Sequence, residues 1–310
     1  MDIKAISKIL LELFYVMIGG LMLTTAVIIF KDKAHKTRIG STLFWLILAV
    51  TFMFGAIIPP EIIGVMLIVI GGLTVTKQVN MGTIKALNTV FADEQSKKLG
   101  NKIFIPSVSI AVIALIIAQV FKDLGGPFAI GVSATISIVI TLLIIKAKPR
   151  ELVEDSNRML QSVGATAILP QLLAALGTLF TAAGVGDVIS GLISNVVPEG
   201  NILFAVTAYC LGMAIFTMIM GNAFAAFSVI TVGIGLPFVF TQGGNPIIAS
   251  ALALTAGYCG TLLTPMAANF NVMPAALLEM EDENKIIKYQ APVAIILLLI
   301  HIPLMYFLAF

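Results

Sequence analysis

Residues 201–240 read NILFAVTAYCLGMAIFTMIMGNAFAAFSVITVGIGLPFVF and contain no charged side chain. A helix needs about 20 apolar residues to cross a bilayer, so this stretch is long enough for two crossings. Gly221 and Asn222 lie at its centre, and both residue types are poor helix formers. The stretch therefore predicts membrane-embedded helix that is interrupted midway.

The composition of the whole chain agrees with this prediction. Of the 310 residues, 59% are apolar and 11% are charged, and the mean hydropathy is +1.07. Soluble domains have roughly 45–50% apolar and 25% charged residues. Membrane β-barrels show alternating strands of about 10 residues, and no stretch alternates in this way. We expect an all-α polytopic membrane protein with about 9–10 membrane-embedded helices, some broken or re-entrant in the C-terminal half.

The predicted membrane segments are distributed over two halves of the chain. Residues 1–150 hold five spans, and residues 151–310 hold the broken helices. The charged stretch at 146–158 is the predicted hinge between the halves. The segments are 10–30, 40–58, 62–76, 103–121, 128–145, 163–183, 201–240, 245–278 and 289–310.

Basic residues predict the orientation of the chain. Loops 31–39, 77–102, 146–158 and 279–288 contain 15 of the 18 Lys and Arg residues. Cytoplasmic loops carry such an excess, so we expect these loops inside and the N-terminus outside, in a bacterial cytoplasmic membrane. Loop 77–102 has apolar residues at helical spacing, which fits either a helix on the membrane surface or a solvated loop.

The first motif interrupts the C-terminal half at residues 216–228, FTMIMGNAFAAFS. Non-helical backbone at membrane depth is tolerated only where it is buried in protein or lines a cavity. One interpretation is a helix break or hairpin tip at a binding site. The other is close helix packing at the glycine, with the asparagine bonding across the interface. The candidate binding residues in this motif are Thr217, Gly221, Asn222 and Ser228.

The second motif covers residues 257–274, GYCGTLLTPMAANFNVMP, and contains no charge. Its two prolines favour an unwound stretch, because proline removes a backbone donor and obstructs the preceding turn. An ordinary loop is the alternative. The candidate binding residues here are Thr261, Thr264, Pro265, Asn269 and Asn271.

The two motifs together suggest how a ligand could bind. A helix N-terminus carries roughly +0.5 charge, and broken helices can hold a substrate carboxylate while unwound carbonyls hold a coupling cation. Residues 159–284 contain no Lys, Arg or His. This favours a small monoanion over a dicarboxylate or a phosphate. Either Na⁺ or H⁺ could be the coupling ion.

Asp187 is the charged residue of the C-terminal half that invites most interpretations. It completes a G-x-G-D sequence of the kind found in intramembrane aspartyl proteases, but that chemistry needs a second carboxylate, and no other acid lies in a central span. It could instead cap the helix that follows, or serve as a cation or proton site. Cys210 and Cys259 form no metal-binding pattern, so we expect neither a metal site nor a cofactor.

The residues of both motifs carry a family resemblance. GNAFAAF at 221–227, followed by GTLLTPMAANFN at 260–271, resembles the ion-transporter superfamily of arsenite, citrate, dicarboxylate and gluconate-type carriers. That resemblance implies inverted repeats, each with a re-entrant hairpin and a broken helix. Gly221 stands where serine often precedes the asparagine. The second hairpin has no clear counterpart in residues 1–150.

Most of the chain, including GVGDVISGLIS at 184–194, also resembles the larger subunit of a proposed two-subunit bacterial 5-oxoproline (pyroglutamate) transporter. This resemblance implies 5-oxoproline, a small monoanion with an amide, as the substrate. It also implies a second membrane subunit that would supply the missing half-site.

The sequence therefore predicts a secondary transporter, or a subunit of one, for a small carboxylate. The alternatives are a scaffold subunit that does not transport and an intramembrane enzyme. The expected partners are a small anionic substrate, the lipid bilayer, and a second membrane subunit or further copies of the chain. We expect no nucleic-acid partner.

Overall fold

The computed structural model describes residues 3–83, 89–121, 124–194, 200–267, 269–278, 280–282 and 284–310. Throughout these ranges the regular structure is helical, without a β-strand. The chain divides into two compact units, Met1–Gly164 and Ala165–Phe310.

The first unit is a set of helices built around a tightly packed pair, α1 and α2. The first of these buries Ala26 and Ile29, while Phe44, Trp45 and Leu48 are buried along the second. The helices of this unit are α1 (Ile3–Lys31), α2 (Arg38–Phe54), α3 (Pro60–Val75), α4 (Thr89–Leu99), α5 (Ile105–Val120), α6 (Gly126–Ile145) and α7 (Pro149–Val163).

Loop 77–102, predicted as either a surface helix or a solvated loop, contains α4, which begins at Thr89. Residues 84–88 of the predicted helical pattern lie outside the described residues. The start of this loop is hydrogen-bonded to the connection between α1 and α2. Asp32 accepts hydrogen bonds from the N–H and the hydroxyl of Thr83, and His35 Nε2 lies 2.9 Å from the Asn80 carbonyl oxygen.

The second unit surrounds a core formed mainly by α10 and α12. Tyr209 and Met213 of α10 are fully buried against small residues of α12 such as Ala253. The helices of this unit are α8 (Leu169–Ala182), α9 (Val185–Ser194), α10 (Ile202–Met220), α11 (Ala223–Ile230), α12 (Pro246–Thr261), α13 (Val272–Leu277) and α14 (Asn284–Ala309). A π-helical stretch, Thr231–Phe240, continues directly from α11.

Small residues allow α10 and α12 to approach closely. A Cβ atom at Gly260 would lie 2.3 Å from the carbonyl oxygen of Ala214, and one at Gly257 would lie 2.8 Å from Met213 Cε. Membrane helices commonly use small residues for such contacts, because packing and not water exclusion holds them together.

The expected fold class is confirmed. Seven described helical stretches are long and apolar enough to cross a membrane, and three shorter apolar helices accompany them. Large apolar side chains on these helices face outward, including Ile68 at 75% exposure and Leu143 at 71%. A bilayer, unlike water, accommodates this surface. The seven stretches are Ala5–Lys31, Glu94–Val120, Gly126–Ile145, Arg150–Ala182, Ile202–Met220, Ala223–Phe240 and Asn284–Ala309; the shorter three are Arg38–Phe54, Pro60–Val75 and Pro246–Thr261.

Candidate functional site

The first predicted interruption is a true helix break at Gly221. Helix α10 ends at Met220, and Gly221 adopts a left-handed conformation with φ +70°. Its N–H donates to the Thr217 carbonyl at 2.7 Å. A Cβ atom here would lie 2.4 Å from the carbonyl oxygen of Met266. Glycine is therefore required both by the backbone conformation and by the lack of space.

Asn222 begins the next helix by capping it. Its Oδ1 accepts from the N–H of Phe224 at 2.9 Å and from the N–H of Ala225 at 3.3 Å. This satisfies two of the donors that a helix N-terminus leaves free. Its Nδ2 has no hydrogen-bond partner in the described part of the chain. The motif therefore combines a helix break with the close packing at the glycine that the alternative interpretation predicted, while the Asn222 Oδ1 bonds lie within α11.

The second predicted interruption follows α12, which ends at Thr261. Asn271 Nδ2 donates to the Thr261 carbonyl at 2.8 Å and to the Thr264 carbonyl at 2.7 Å. Thr264 Oγ1 in turn donates to the carbonyl of Met218 at 2.9 Å. The Asn271 bonds thus close the connection after α12 into a compact loop, and the Thr264 bond joins this loop to the last turn of α10. The two breaks therefore lie side by side.

A pocket of about 530 Å³ lies between the two breaks. Three aromatic rings stand along it: Tyr258 is 6.0 Å from Phe224 and 6.2 Å from Phe270, centroid to centroid. Its volume is in the range of small-molecule sites. The lining residues are Leu173, Gly221, Asn222, Ala223, Phe224, Tyr258, Thr261, Leu262, Asn269 and Phe270.

Among the described residues, the pocket lining has polar groups but no charged side chain. The N-terminal end of α11 borders it through Asn222 and Ala223, so the positive end of the helix dipole faces the ligand space. Amide groups of Asn222 and Asn269 and the hydroxyl of Tyr258 add hydrogen-bonding capacity. Such a lining can hold a small anion reversibly, without the desolvation cost of a buried Arg or Lys.

Five of the residues predicted from the two motifs do not line the pocket, and they fall into two groups. Thr217, Thr264 and Asn271 are buried beside the breaks. Pro265 is exposed in the turn after α12. Ser228 is exposed on α11, where its hydroxyl donates to the Ala225 carbonyl at 2.8 Å. The other four predicted residues, Gly221, Asn222, Thr261 and Asn269, line it directly.

Asp187 is not among the pocket-lining residues, and its side chain is exposed. The expectation that it caps the following helix is wrong. Helix α9 begins at Val185, so Asp187 lies within its first turn. A negative side chain is favourable at that position because of the helix dipole. Its use as a cation or proton site stays a prediction.

The sequence motifs contained five lining residues that were not selected as candidates: Ala223, Phe224, Tyr258, Leu262 and Phe270. Each is within two residues of a predicted polar position or of a motif glycine. That proximity was the available signal. Leu173 of α8 gave no such signal, because it is distant in sequence and lies in an ordinary apolar helix.

The described residues contain no group of three His, Cys, Asp or Glu side chains that could hold a metal ion. Cys210 and Cys259 are free and buried. Neither thiol lines the pocket.

The comparisons with known proteins place the chain in a family. The model of a family described as "Protein of unknown function (DUF979)" matches residues 12–310. The chain therefore belongs to the DUF979 family. Neither the curated proteins nor the solved structures contain a significant match.

Proposed function

We propose that the chain is a secondary transporter, or the substrate-binding subunit of one, for a small carboxylate. The observation that carries this proposal is the pocket of about 530 Å³ between two helix breaks, lined without charge and bordered by the N-terminus of α11. Transporters bind substrates at such discontinuous helices near the centre of the membrane.

A carboxylate suits this pocket for electrostatic reasons. The α11 dipole supplies partial positive charge at the pocket wall, and Asn222 Nδ2 is available as a donor. The rings of Phe224, Tyr258 and Phe270 offer an apolar surface to the remainder of the ligand. Attraction by partial charges is weaker than an ion pair, which favours release after transport.

Within this class we propose 5-oxoproline as the substrate to test first. Its lactam has one donor and one acceptor, which complement side-chain amides such as those of Asn222 and Asn269. Its carboxylate suits the helix N-terminus, and its ring suits the aromatic wall. The resemblance described above points to the same compound.

The proposed setting is the bacterial cytoplasmic membrane, with the N-terminus outside and the basic loops inside. The distribution of Lys and Arg supports this orientation. A cation gradient would drive uptake, since accumulating an anion against a negative interior requires coupling.

A binding experiment on purified full-length chain tests the proposal. We expect 5-oxoproline to raise the apparent melting temperature in a saturable manner. The matched compounds are 2-pyrrolidinone, which has the lactam without the carboxylate, and proline, which adds a cationic ammonium. We expect 2-pyrrolidinone to bind at least about tenfold more weakly, since a charge-assisted hydrogen bond contributes about 1.5–3 kcal/mol. Proline keeps the carboxylate but lacks the lactam carbonyl, and the positive end of the α11 dipole repels its ammonium, so we expect it to bind more weakly as well.

The panel would then extend to other small monocarboxylates. Equal binding of 2-pyrrolidinone and 5-oxoproline would contradict carboxylate recognition at the α11 N-terminus. Absence of binding by every carboxylate in the panel would contradict the proposed function.

A further inference from the structure

The chain contains two histidines, and one of them, His301, lies within the membrane-embedded helix α14. At the rise of an α-helix, His301 is about 12 Å from Ala309, the last residue of α14. The imidazole ring therefore lies at membrane depth. An ionisable side chain is costly there and indicates a functional site by default.

Both ring nitrogens of His301 have a hydrogen-bond partner. Nδ1 lies 2.7 Å from the Leu297 carbonyl oxygen, and Nε2 lies 2.9 Å from Thr255 Oγ1 on α12. A carbonyl oxygen only accepts, so Nδ1 carries a hydrogen whether the ring is neutral or charged. Nε2 is therefore the position that gains or loses the proton.

The Thr255 hydroxyl fits both charge states of this ring. Its oxygen lies 3.0 Å from the carbonyl oxygen of Ala251 and 3.0 Å from that of Leu252. With a neutral ring, the hydroxyl can donate to Nε2. With an imidazolium, Nε2–H donates to Oγ1 and the hydroxyl donates to one of the two carbonyls. Rotation of one O–H group keeps the pair fully hydrogen-bonded in both states, and no heavy atom has to move.

His35, in the connection between α1 and α2, has the opposite arrangement. Its Nδ1 accepts from the Thr37 N–H at 3.1 Å, and its Nε2 lies 2.9 Å from the Asn80 carbonyl oxygen, to which it must donate. A proton added at Nδ1 would oppose two N–H groups and cost the Thr37 bond. The nearby charged group is the Asp32 carboxylate, which itself accepts from Thr83. The bonding of His35 is that of a structural residue.

The surroundings of His301 carry no formal charge on the helices packed against it. Helix α14 packs against α10 and α12, and residues 201–278 contain no Asp, Glu, Lys or Arg. Oxygen dipoles and not an ion pair would stabilise an imidazolium, so release of the proton would leave no unpaired charge behind. The titratable groups of α10 and α12 are Tyr209, Cys210, Tyr258 and Cys259, and those of α14 besides His301 are Lys285, Lys288, Tyr289 and Tyr306.

We propose that His301 and Thr255 form a reversible proton-binding site in the membrane-embedded part of the second unit, separate from the pocket. Neither residue lines the pocket. Thr255 is exposed and His301 is partly buried, so the pair lies at the edge of this unit. Ionisable side chains in membrane segments normally face protein or water and not lipid, and we expect water to reach this edge. A hydronium ion gives its proton to the Nε2 lone pair and leaves as water.

Helix α12 connects this proton site to the pocket. Thr255 precedes Tyr258 by about one turn, and both Tyr258 and Thr261 of the same helix line the pocket. The proton would then be the coupling ion of the transporter. That role rests on the proposed function, whereas proton binding by His301 does not and can be measured without substrate.

The test is nitrogen NMR of the purified full-length chain labelled with ¹⁵N-histidine, without substrate. His301→Gln assigns the signals to the two rings. At alkaline pH we expect opposite neutral tautomers, with the hydrogen on Nδ1 in His301 and on Nε2 in His35. On acidification His301 should become doubly protonated while the amide signals of α12 and α14 are retained. Protonation of His35 should be accompanied by loss of the Thr37 amide hydrogen bond.

Thr255→Val removes the hydroxyl at nearly constant shape. We expect it to shift the Nε2 signal of neutral His301 and to leave the Nδ1 signal in place, whereas Thr255→Ser should retain both. Thr207→Val is the matched control, because it removes from α10 a hydroxyl that donates to its own helix at 2.7 Å; it should change neither signal. Thr255→Ala replaces the valine variant if that variant does not fold.

Three results would overturn the proton site. They are the Nε2–H tautomer in neutral His301, a ring that stays neutral at every pH at which the chain stays folded, and an unchanged Nε2 signal in both the valine and the alanine variant.

Calorimetry of 5-oxoproline binding, in buffers that differ in ionisation enthalpy, then measures the protons exchanged with the substrate. The parent chain should exchange a fraction of a proton that varies with pH, and His301→Gln should exchange none. Equal proton exchange by both chains would overturn the coupling role and leave the proton site in place. Absence of 5-oxoproline binding would overturn the proposed substrate, while the NMR result would stand on its own.

Discussion

Asn222 combines a structural position, at the start of α11, with a position in the pocket wall. Its Oδ1 caps α11, and the residue also lines the pocket. Replacement by alanine would remove both functions, and loss of the cap alone typically costs about 1 kcal/mol. A substitution that keeps the cap is needed to isolate the binding role.

Asn222→Asp makes this separation. Aspartate caps as well as asparagine, but it replaces the Nδ2 donor with a negatively charged oxygen. We expect the variant to keep its melting temperature in the absence of ligand and to lose at least about tenfold in affinity for 5-oxoproline, since repulsion replaces attraction. Ligand-induced melting shifts measure both quantities.

Asn245→Asp is the matched control for this variant. Asn245 caps α12 with the same pattern, accepting from the N–H groups of Ile247 and Ile248 at 3.0 and 3.3 Å. It is exposed and does not line the pocket. Unchanged affinity in Asn222→Asp would remove Asn222 from the binding site.

Among the residues that line the pocket, the sequence predicted the polar ones and missed the aromatic ones. Gly221 and Asn222 are conspicuous because they interrupt a long apolar run. Tyr258 and Phe270 are ordinary membrane residues by composition. Tyr258 lies on α12, and the folded connection after α12 brings the Phe270 ring to 6.2 Å from it. Ser228 was predicted as a site residue but does not line the pocket. Its hydroxyl bonds the backbone of its own helix, as serine commonly does.

The α10–α12 interface is where a small change should have a large structural effect. Gly260→Ala would place a Cβ atom 2.3 Å from the Ala214 carbonyl oxygen, and a backbone atom cannot move aside cheaply. Overpacking typically costs about 1–3 kcal/mol. We expect a clearly lower melting temperature and a weaker 5-oxoproline shift, because both helix breaks depend on this contact.

Gly64→Ala provides the comparison for this interface variant. Gly64 lies inside α3, and a Cβ atom there would meet nothing within 4 Å. That variant should melt at or slightly above the parent temperature, since alanine favours helix. Equal melting temperatures for the two variants would show that α10 and α12 do not pack this closely.

The connection between α1 and α2 carries a pH-sensitive contact outside the membrane. The Thr83 hydroxyl and N–H hold the pKa of the Asp32 carboxyl below its usual range, assisted by the Ala34 N–H and the charge of His35. Because the pKa is lowered in the folded state, this contact stabilises the loop above the ordinary pKa. The stabilisation is lost as the pH falls through the lowered value.

Hydrogen exchange at the Thr83 amide measures this contact. We expect its protection factor to be high at neutral pH and to decline as the pH falls below the usual range of an aspartate. Asp32→Asn keeps an acceptor that does not titrate, so its protection should be independent of pH over the same interval. A decline in the asparagine variant as well would assign the effect to another group.

The sequence predicted a helix boundary correctly where poor helix formers interrupt a long apolar run. The predicted interruption at residues 221–222 matches the gap between α10 and α11. The π-helical stretch Thr231–Phe240 was not predicted. Its Gly233, Gly235 and Pro237 give a general signal of weak helix, and which hydrogen bonds replace the regular ones depends on tertiary packing.

At the scale of the whole molecule, the second unit holds every pocket-lining residue. Composition predicts a membrane protein from the entire chain, yet it does not indicate which surfaces would contact another protein. Membrane helices are apolar on all sides whether lipid or a partner covers them. A partner surface therefore leaves little trace in hydropathy.

The chain alone should bind substrate but transport it weakly, if a second subunit supplies the other half of the pathway. We expect vesicles with purified chain to show a 5-oxoproline melting shift and little uptake of labelled 5-oxoproline under imposed Na⁺ or proton gradients. Vesicles containing the complex purified intact from native membranes should show uptake at least about tenfold faster. The melting shift serves as the control that the chain is folded in both preparations, because a misfolded chain would lose binding together with uptake. Robust uptake by the chain alone would contradict the two-subunit arrangement while leaving the pocket in place, since binding requires only one unit and alternating access requires both sides of the pathway to move.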